Sequence, residues 1–254
     1  MSFVGIKDEA EAKNYGPISS RSTRTLCRKR PPGLLSRFAS ARDNAAILGA
    51  WLMLTQGSRY EAVIAAIDAA NAADPNSIEI EGQRQPAELV YGRRMSATLA
   101  RMAPAASEAL RIAARGQHIE RWSSPRKTYP EGRAGYLKWR KDLKDLHAQR
   151  LGEIMANDGY EAGEIARVGA LVRKEKLKSD ADAQLLEDVV CVVFLEHYLA
   201  AFMAKTEPSK MPGILAKTWR KMSDFGHAEV LKLDVPSEVM RLLEQGLTEI
   251  GAER

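Results

Sequence analysis

The stretch from Leu185 to Met203, LLEDVVCVVFLEHYLAAFM, is the longest apolar run in the chain and constrains the fold more than any other feature. Every position from Val189 to Leu195 is apolar, so a helix there has no face that can be left to water. A β-strand is the competing interpretation, but the run continues at helical spacing well beyond the usual ~5 to 6 residues of a strand. We therefore expect a helix that is buried on most sides.

One carboxylate lies on the packed face of this predicted helix. Asp188 shares its helical line with four residues of the apolar run, Cys191, Leu195, Tyr198 and Phe202. An unpaired charge on such a face would be expensive. We expect a cation, and specifically an inward-facing metal site, to neutralise it.

From Arg59 onwards the pattern is one amphipathic helix after another, with no convincing strand pattern and no fixed repeat. SIEIEGQRQ, residues 77–85, is predicted to be a polar loop. Helices are expected over residues 86–102, 105–122 and 136–158, and a further one continues to residue 178. The prediction is an all-α fold in which residues 59–254 form a single multi-helix bundle.

Residues 1–58 differ from the remainder in composition. They are rich in Ser, Arg, Gly and Pro and contain one short apolar patch, AAILGAWLML. We predict a flexible basic extension that can be deleted at little cost to stability. An organelle-targeting peptide is the alternative, but early acidic residues (Asp8, Glu9 and Glu11) spoil that pattern.

The composition favours a soluble protein in a reducing compartment. The chain has 254 residues, of which 45% are hydrophobic and 28% charged. Its longest uncharged apolar runs are far shorter than the ~20 residues that cross a bilayer, so no membrane partner is expected. Cys27 is in a basic polar stretch and Cys191 in the buried helix, which argues against a disulfide. The predicted location is cytoplasmic.

The net charge of +5 is concentrated at one end of the chain. Residues 1–59 hold ten Lys and Arg against four Asp and Glu, whereas residues 60–254 hold 28 against 29. The helical region is therefore electrically balanced. Nucleic acid is an expected partner only through the basic extension, and the oligomeric state stays open.

Five polar residues come from successive predicted helices, and four of them share a face with the local apolar line, whereas the helix that carries His118 is too rich in Ala to define one face. The five residues are Glu88, His118, His147, Glu175 and Asp188. Two histidines and three carboxylates form a ligand set that suits a divalent Fe, Mn, Zn or Co ion. Two alternatives stay open. In the first, each residue has a separate structural role, as a glutamate that reaches solvent or a histidine that is hydrogen-bonded in the core. In the second, the acids pair with buried arginines (Arg93, Arg94 or Arg173), as in a non-catalytic binding protein.

A basic loop joins the helices predicted over residues 105–122 and 136–158. Its candidate substrate-binding residues are Arg121, Arg126, Lys127, Arg133 and Arg140. Next to a metal site such a cluster would hold a phosphate group, because arginine binds phosphate with two parallel hydrogen bonds. The alternative is a solvated loop whose charges are balanced by nearby acids.

Several long segments resemble the family known as domain of unknown function 4202. They are AIDAANAADPN, ELVYGRRM, AARGQHIERW, YPEGRAGYLKWR, LVRKEKLK and LEDVVCVVFLEHY, and they extend from about residue 60 to the C-terminus. This resemblance is specific, but it implies no established activity.

The order of the polar residues is distantly similar to the HD-domain superfamily of helical metal-dependent phosphohydrolases. In this resemblance Asp188 corresponds to the late metal-binding Asp, His118 to the His of the His-Asp pair and His147 to a later His. Glu88 and Glu175 stand where that superfamily usually has histidines. The resemblance implies an HD-like helical bundle with a metal centre built from these residues.

The resemblance is incomplete at the His-Asp pair. Residue 119 is Ile where the paired Asp would be, and the candidate catalytic carboxylate is then Glu120, which points elsewhere on a helix. The expected function is a metal-dependent hydrolase acting on a phosphorylated small molecule or nucleotide. A non-catalytic binding protein with a degenerate metal site and an iron-dependent oxygenase are the alternatives.

Overall fold

The structure is a computed structural model that describes residues 59–177 and 179–252, except for the side chains of residues 250 and 252. The predicted basic extension, residues 1–58, lies outside the described residues. The prediction that nucleic acid binds through this extension falls on the same residues. The helices are α1 (residues 59–71), α2 (Ala87–Met102), α3 (Glu108–Arg115), α4 (Gly132–Asn157), α5 (Ala162–Arg173), α6 (Ala181–His197), α7 (Leu199–Met203), α8 (Met211–Trp219), α9 (Asp224–Val230) and α10 (Ser237–Ala252).

The all-α prediction is confirmed, with one exception between α1 and α2. The predicted polar loop is a short antiparallel hairpin, β1 (Ser77–Ile80) paired with β2 (Gln83–Pro86). Its turn residues Glu81 and Gly82 have φ angles of 50° and 77°. Two positive φ values at the centre of a two-residue turn match the twist of a hairpin, and they let these short segments pair.

Helix α6 lies at the centre of the main hydrophobic core, as its apolar sequence predicts. It packs against α2, α3, α5 and α9. Within the run predicted to be almost fully buried, four residues are buried: Val189, Cys191, Val192 and Val193. Val190, Phe194 and Leu195 are half-buried, so the helix keeps one partly open side.

The helix predicted over Leu185 to Met203 breaks at Tyr198. The short helix α7 follows, and its side chains belong to a second core cluster. This cluster joins α7 to α8 and α10 through apolar side chains, among them Phe202, Leu215 and Leu243. No helix of the described residues is long and apolar enough to cross a membrane.

Two helices are shorter than predicted, and both ends help to shape the candidate site. Helix α3 ends at Arg115 instead of near residue 122, and Gly116, which caps this end, packs against α4 so closely that a Cβ atom would lie 2.4 Å from Leu151 Cδ2. Helix α5 ends at Arg173, since Lys174 adopts the left-handed conformation at φ 60°. The backbone N–H of Glu175 then donates to the Ala170 carbonyl, which closes the helix end.

Hydrogen bonds from distant residues hold the segment after α3 in place. The Glu120 backbone N–H donates to Oδ1 of buried Asn71 at the end of α1. Nε1 of Trp139, a fully buried residue of α4, donates to the Ser124 carbonyl at 2.8 Å. The segment 117–121 is therefore held in place against α4, although most of it is not helical.

Candidate functional site

A narrow pocket, partly open to solvent, lies between the segment after α3, helix α4 and the end of α5. Its polar lining comes from three parts of the chain. The residues are Gln117, His118 and Arg121 from the segment after α3, Arg140, Lys144 and His147 from α4, and Lys174 after α5.

The pocket carries more positive than negative charge. Burial lowers the pKa of Arg140, and the neighbouring Arg121 lowers it further. Burial likewise lowers the pKa of Lys144, with Lys174 and Arg140 adding to the effect. Lys174 forms an ion pair with buried Glu187. For the Arg140 guanidinium the described part of the chain supplies neither a hydrogen bond nor an ion pair.

His147 has one ring nitrogen engaged and one free. Its Nδ1 lies 2.7 Å from the Ile119 carbonyl oxygen, and because a carbonyl only accepts, Nδ1 carries the proton. Nε2 is therefore an acceptor, and it is buried without a hydrogen-bond partner among the described residues. Burial, helped by repulsion from His118 and Arg121, lowers the pKa of His147 to about 3. The ring is neutral at physiological pH.

His118 is held by two neighbours, Tyr91 and Glu88. The ring stacks on Tyr91 with centroids 4.0 Å apart, and Nδ1 lies 3.3 Å from Glu88 Oε2. The other carboxylate oxygen of Glu88 lies 3.9 Å from Arg121 Nε. The His118 and His147 rings are 6.1 Å apart. Three of the five predicted metal ligands, Glu88, His118 and His147, are thus close neighbours.

Asp188 is placed in a different structural role. Its side chain is 1% exposed and accepts hydrogen bonds from Ser223 N at 2.9 Å, Ser223 Oγ at 2.5 Å and Gln184 Nε2 at 3.0 Å. Gly226 of α9 approaches so closely that a Cβ atom there would lie 2.7 Å from Asp188 Oδ1. Asp188 is buried, as its periodicity predicts, but protein donors satisfy it.

Glu175 is a surface residue, contrary to its predicted place on the apolar line. Because α5 ends two residues earlier, the side chain loses the helical register and is 53% exposed, 3.8 Å from Arg173. Among residues 59–177 and 179–252, no three His, Cys, Asp or Glu side chains are arranged to hold a metal ion. Glu175 and Asp188 do not complete a ligand set with the histidines.

The ion pairs between buried acids and arginines that were expected for a binding protein also differ from the observed ones. Glu88 interacts with His118 and Arg121, as described above. Arg93 lies 3.8 Å from Asp68, and Arg173 pairs with Asp145 at 3.0 Å. The guanidinium carbon of Arg94 lies 5.1 Å from the centroid of the Tyr198 ring. The buried acids therefore have partners, but not the three arginines expected from the sequence.

Of the predicted basic loop residues, Arg121 and Arg140 line the pocket and the others do not. Arg126 donates to the carbonyls of Tyr129 and Gly132, so it closes the loop on itself. Lys127 and Arg133 are exposed. Glu120, the predicted catalytic carboxylate, pairs with Arg150 at 2.9 Å and is not a lining residue.

The sequence prediction missed three polar lining residues, Gln117, Lys144 and Lys174. A signal for Lys144 was present, because Arg140, Lys144 and His147 follow the helical spacing of four and three residues and so share one face of α4. Gln117 lies in an irregular segment, and Lys174 reaches the pocket only because α5 ends where it does. No periodic pattern predicts either of them.

Comparison with known proteins identifies the family of this chain but finds no relative of known activity. No curated protein and no solved structure gives a significant match. The similarity to the HD-domain superfamily is therefore unconfirmed. The family model of a domain of unknown function, DUF4202, matches residues 61–243, which is most of the chain. This protein belongs to the DUF4202 family.

Proposed function

We propose that this protein binds a phosphorylated small molecule in the pocket between α4 and the segment after α3. The observation that carries the proposal is the half-buried guanidinium of Arg140, which faces the same pocket as Arg121, Lys144 and Lys174 without an anionic partner of its own. Positive charges gathered in a partly buried site repel one another, and an anion would relieve that repulsion.

The type of charge in the pocket favours phosphate over a single carboxylate. Several cations converge from separate elements, and two of them are arginines, whose planar donors match phosphate oxygens. Glu187 makes its direct ion pair with Lys174 and attracts Arg140 only at longer range. A dianion would complement the remaining cations better than a monovalent ion.

Changing Arg140 to Met should weaken the binding of methyl phosphate by ~10-fold or more, because a charge-assisted hydrogen bond contributes ~1.5 to 3 kcal/mol. Titration calorimetry at low salt measures this directly. Lys141→Met, which removes an exposed charge from the next residue of α4, is the matched control and should change the affinity less than twofold. Equal affinities of the two variants would contradict the proposal.

Metal-dependent hydrolysis of such a ligand is a second candidate, favoured by the free Nε2 of His147 in the same pocket. Iron-dependent oxygen chemistry would need a comparable ligand set. When bound, a divalent Fe, Mn, Zn or Co ion would supply a water of lowered pKa. The described donors do not, however, form the predicted ligand set.

Metal analysis separates the two candidates. If the pocket only binds its ligand, methyl phosphate should bind equally well before and after treatment with a chelator. The purified protein should then contain well below one equivalent of Fe, Mn, Zn or Co. One equivalent of metal that is lost in His147→Ala, in a variant that stays folded, would instead favour the hydrolase.

We also propose a reducing, cytoplasmic location for the protein. Cys191 is a free thiol in the core, and burial raises its pKa to about 12. A thiol of this kind is unreactive and packs as a small apolar side chain. Cell fractionation tests the location.

A further inference from the structure

Two buried hydrogen-bond acceptors, on side chains that line the pocket, lack partners among the described residues. They are His147 Nε2 and Gln117 Oε1, on side chains that are 3% and 6% exposed as whole residues. Both residues line the same space as the cations. An unsatisfied buried polar atom costs ~1 to 3 kcal/mol, so each acceptor calls for a donor from outside the protein, which is either an ordered water or a hydroxyl group of a ligand.

The donor cannot be the phosphate group itself at mildly alkaline pH. A phosphate dianion offers only acceptor oxygens, which repel the lone pair of a neutral imidazole. The Ile119 carbonyl holds the His147 proton on Nδ1, so that ring cannot turn a donor towards the pocket. Protonation does not rescue the contact, since the pKa of His147 is about 3.

We propose that the ligand is a phosphate ester whose organic part carries hydroxyl groups, which donate hydrogen bonds to His147 Nε2 and Gln117 Oε1. Its phosphate lies among Arg140, Lys144 and the other cations. The inference rests on the proposed function and adds the class of ligand: a phosphorylated sugar or a nucleotide, both of which have ribose-like hydroxyls. The organic group distinguishes this ligand from free phosphate.

The test compares ligands of equal charge with and without hydroxyl groups. Ribose 5-phosphate, adenosine 5′-monophosphate and methyl phosphate are titrated at pH 8, above the second phosphate pKa of ~6. Wild-type protein should bind at least one of the two ribose-containing ligands ~10-fold or more tightly than methyl phosphate, and the better of the two identifies a sugar or a nucleoside.

His147→Asn is the decisive variant. Its amide nitrogen can take the place of Nδ1 and still donate to the Ile119 carbonyl, while nothing replaces Nε2. It should weaken the better ribose-containing ligand by ~10-fold and leave methyl phosphate within twofold, as expected for one lost hydrogen bond. Gln117→Met, which keeps the length of the side chain without its amide, should do the same if the Asn variant fails to fold.

The outcomes separate the two proposals. If methyl phosphate and both ribose-containing ligands bind equally, or if both variants leave their ratio unchanged, the ligand class is wrong while phosphate binding stands. If wild-type protein binds none of the three, the proposed function fails and the ligand class with it. If the variants weaken all three ligands equally, His147 and Gln117 only shape the pocket, which also overturns the inference.

Discussion

Changing Asp188 to Ala should lower the free energy of unfolding by about 3 to 5 kcal/mol. The carboxylate is buried and accepts three hydrogen bonds, two of them from Ser223 at the start of α9. Bonds to a charged group contribute ~1.5 to 3 kcal/mol each, although they do not add fully, and the orphaned donors would remain buried. Urea unfolding followed by circular dichroism measures the loss.

Asp234→Ala is the matched control, because Asp234 is exposed and its loss should change stability by less than ~0.5 kcal/mol. The effect of Asp188→Ala should be the same with and without a chelator, since protein donors satisfy the carboxylate. A loss below ~1 kcal/mol, or one that appears only when metal is present, would contradict a structural role for Asp188.

Changing Lys174 to Met should destabilise the protein by about 3 to 5 kcal/mol at neutral pH. Lys174 and Glu187 form a pair whose side chains are 9% and 4% exposed, and the variant leaves the Glu187 charge buried. The double variant Lys174→Met with Glu187→Leu removes both charges and should recover to within ~1 to 2 kcal/mol of wild type. Urea unfolding of the single and double variants tests the pair, and a double variant no more stable than Lys174→Met would contradict it.

The pH dependence of the same variants follows from the pKa of Glu187. Burial would raise that pKa, but attraction by Lys174, with Lys221 and Arg140 adding to it, outweighs burial and lowers it below the ordinary 4.5. A lowered carboxyl pKa stabilises the fold above about pH 4.5, and this contribution is lost as pH falls through the folded value. In Lys174→Met only burial acts strongly, so the pKa rises and the deficit should shrink as the pH is lowered towards 4.

The helices that periodicity predicts best are those whose ends carry their own local signals. Pro86 and Met102 were expected to bound the second helix, and α2 runs from Ala87 to Met102. Proline fixes the backbone at a helix start whatever packs around it. The apolar run likewise determined that α6 is buried, because burial is a property of the side chains themselves.

The candidate site was only partly predictable for the same physical reason. His118, His147, Arg121 and Arg140 were identified as inward-facing or basic residues, and the structure brings all four to one pocket. Their local patterns indicated polar groups near a core. The patterns did not indicate which of these groups meet, because that depends on how the helices pack.

Periodicity and composition alone predict a helical fold with a buried central helix and charged groups that need partners. The packing of the helices against one another sets which groups become those partners. Asp188 is satisfied by Ser223, 35 residues away, and Glu175 reaches the surface because the chain turns at Lys174. Helical periodicity describes one element at a time, whereas contacts between elements depend on where each helix ends and how it packs.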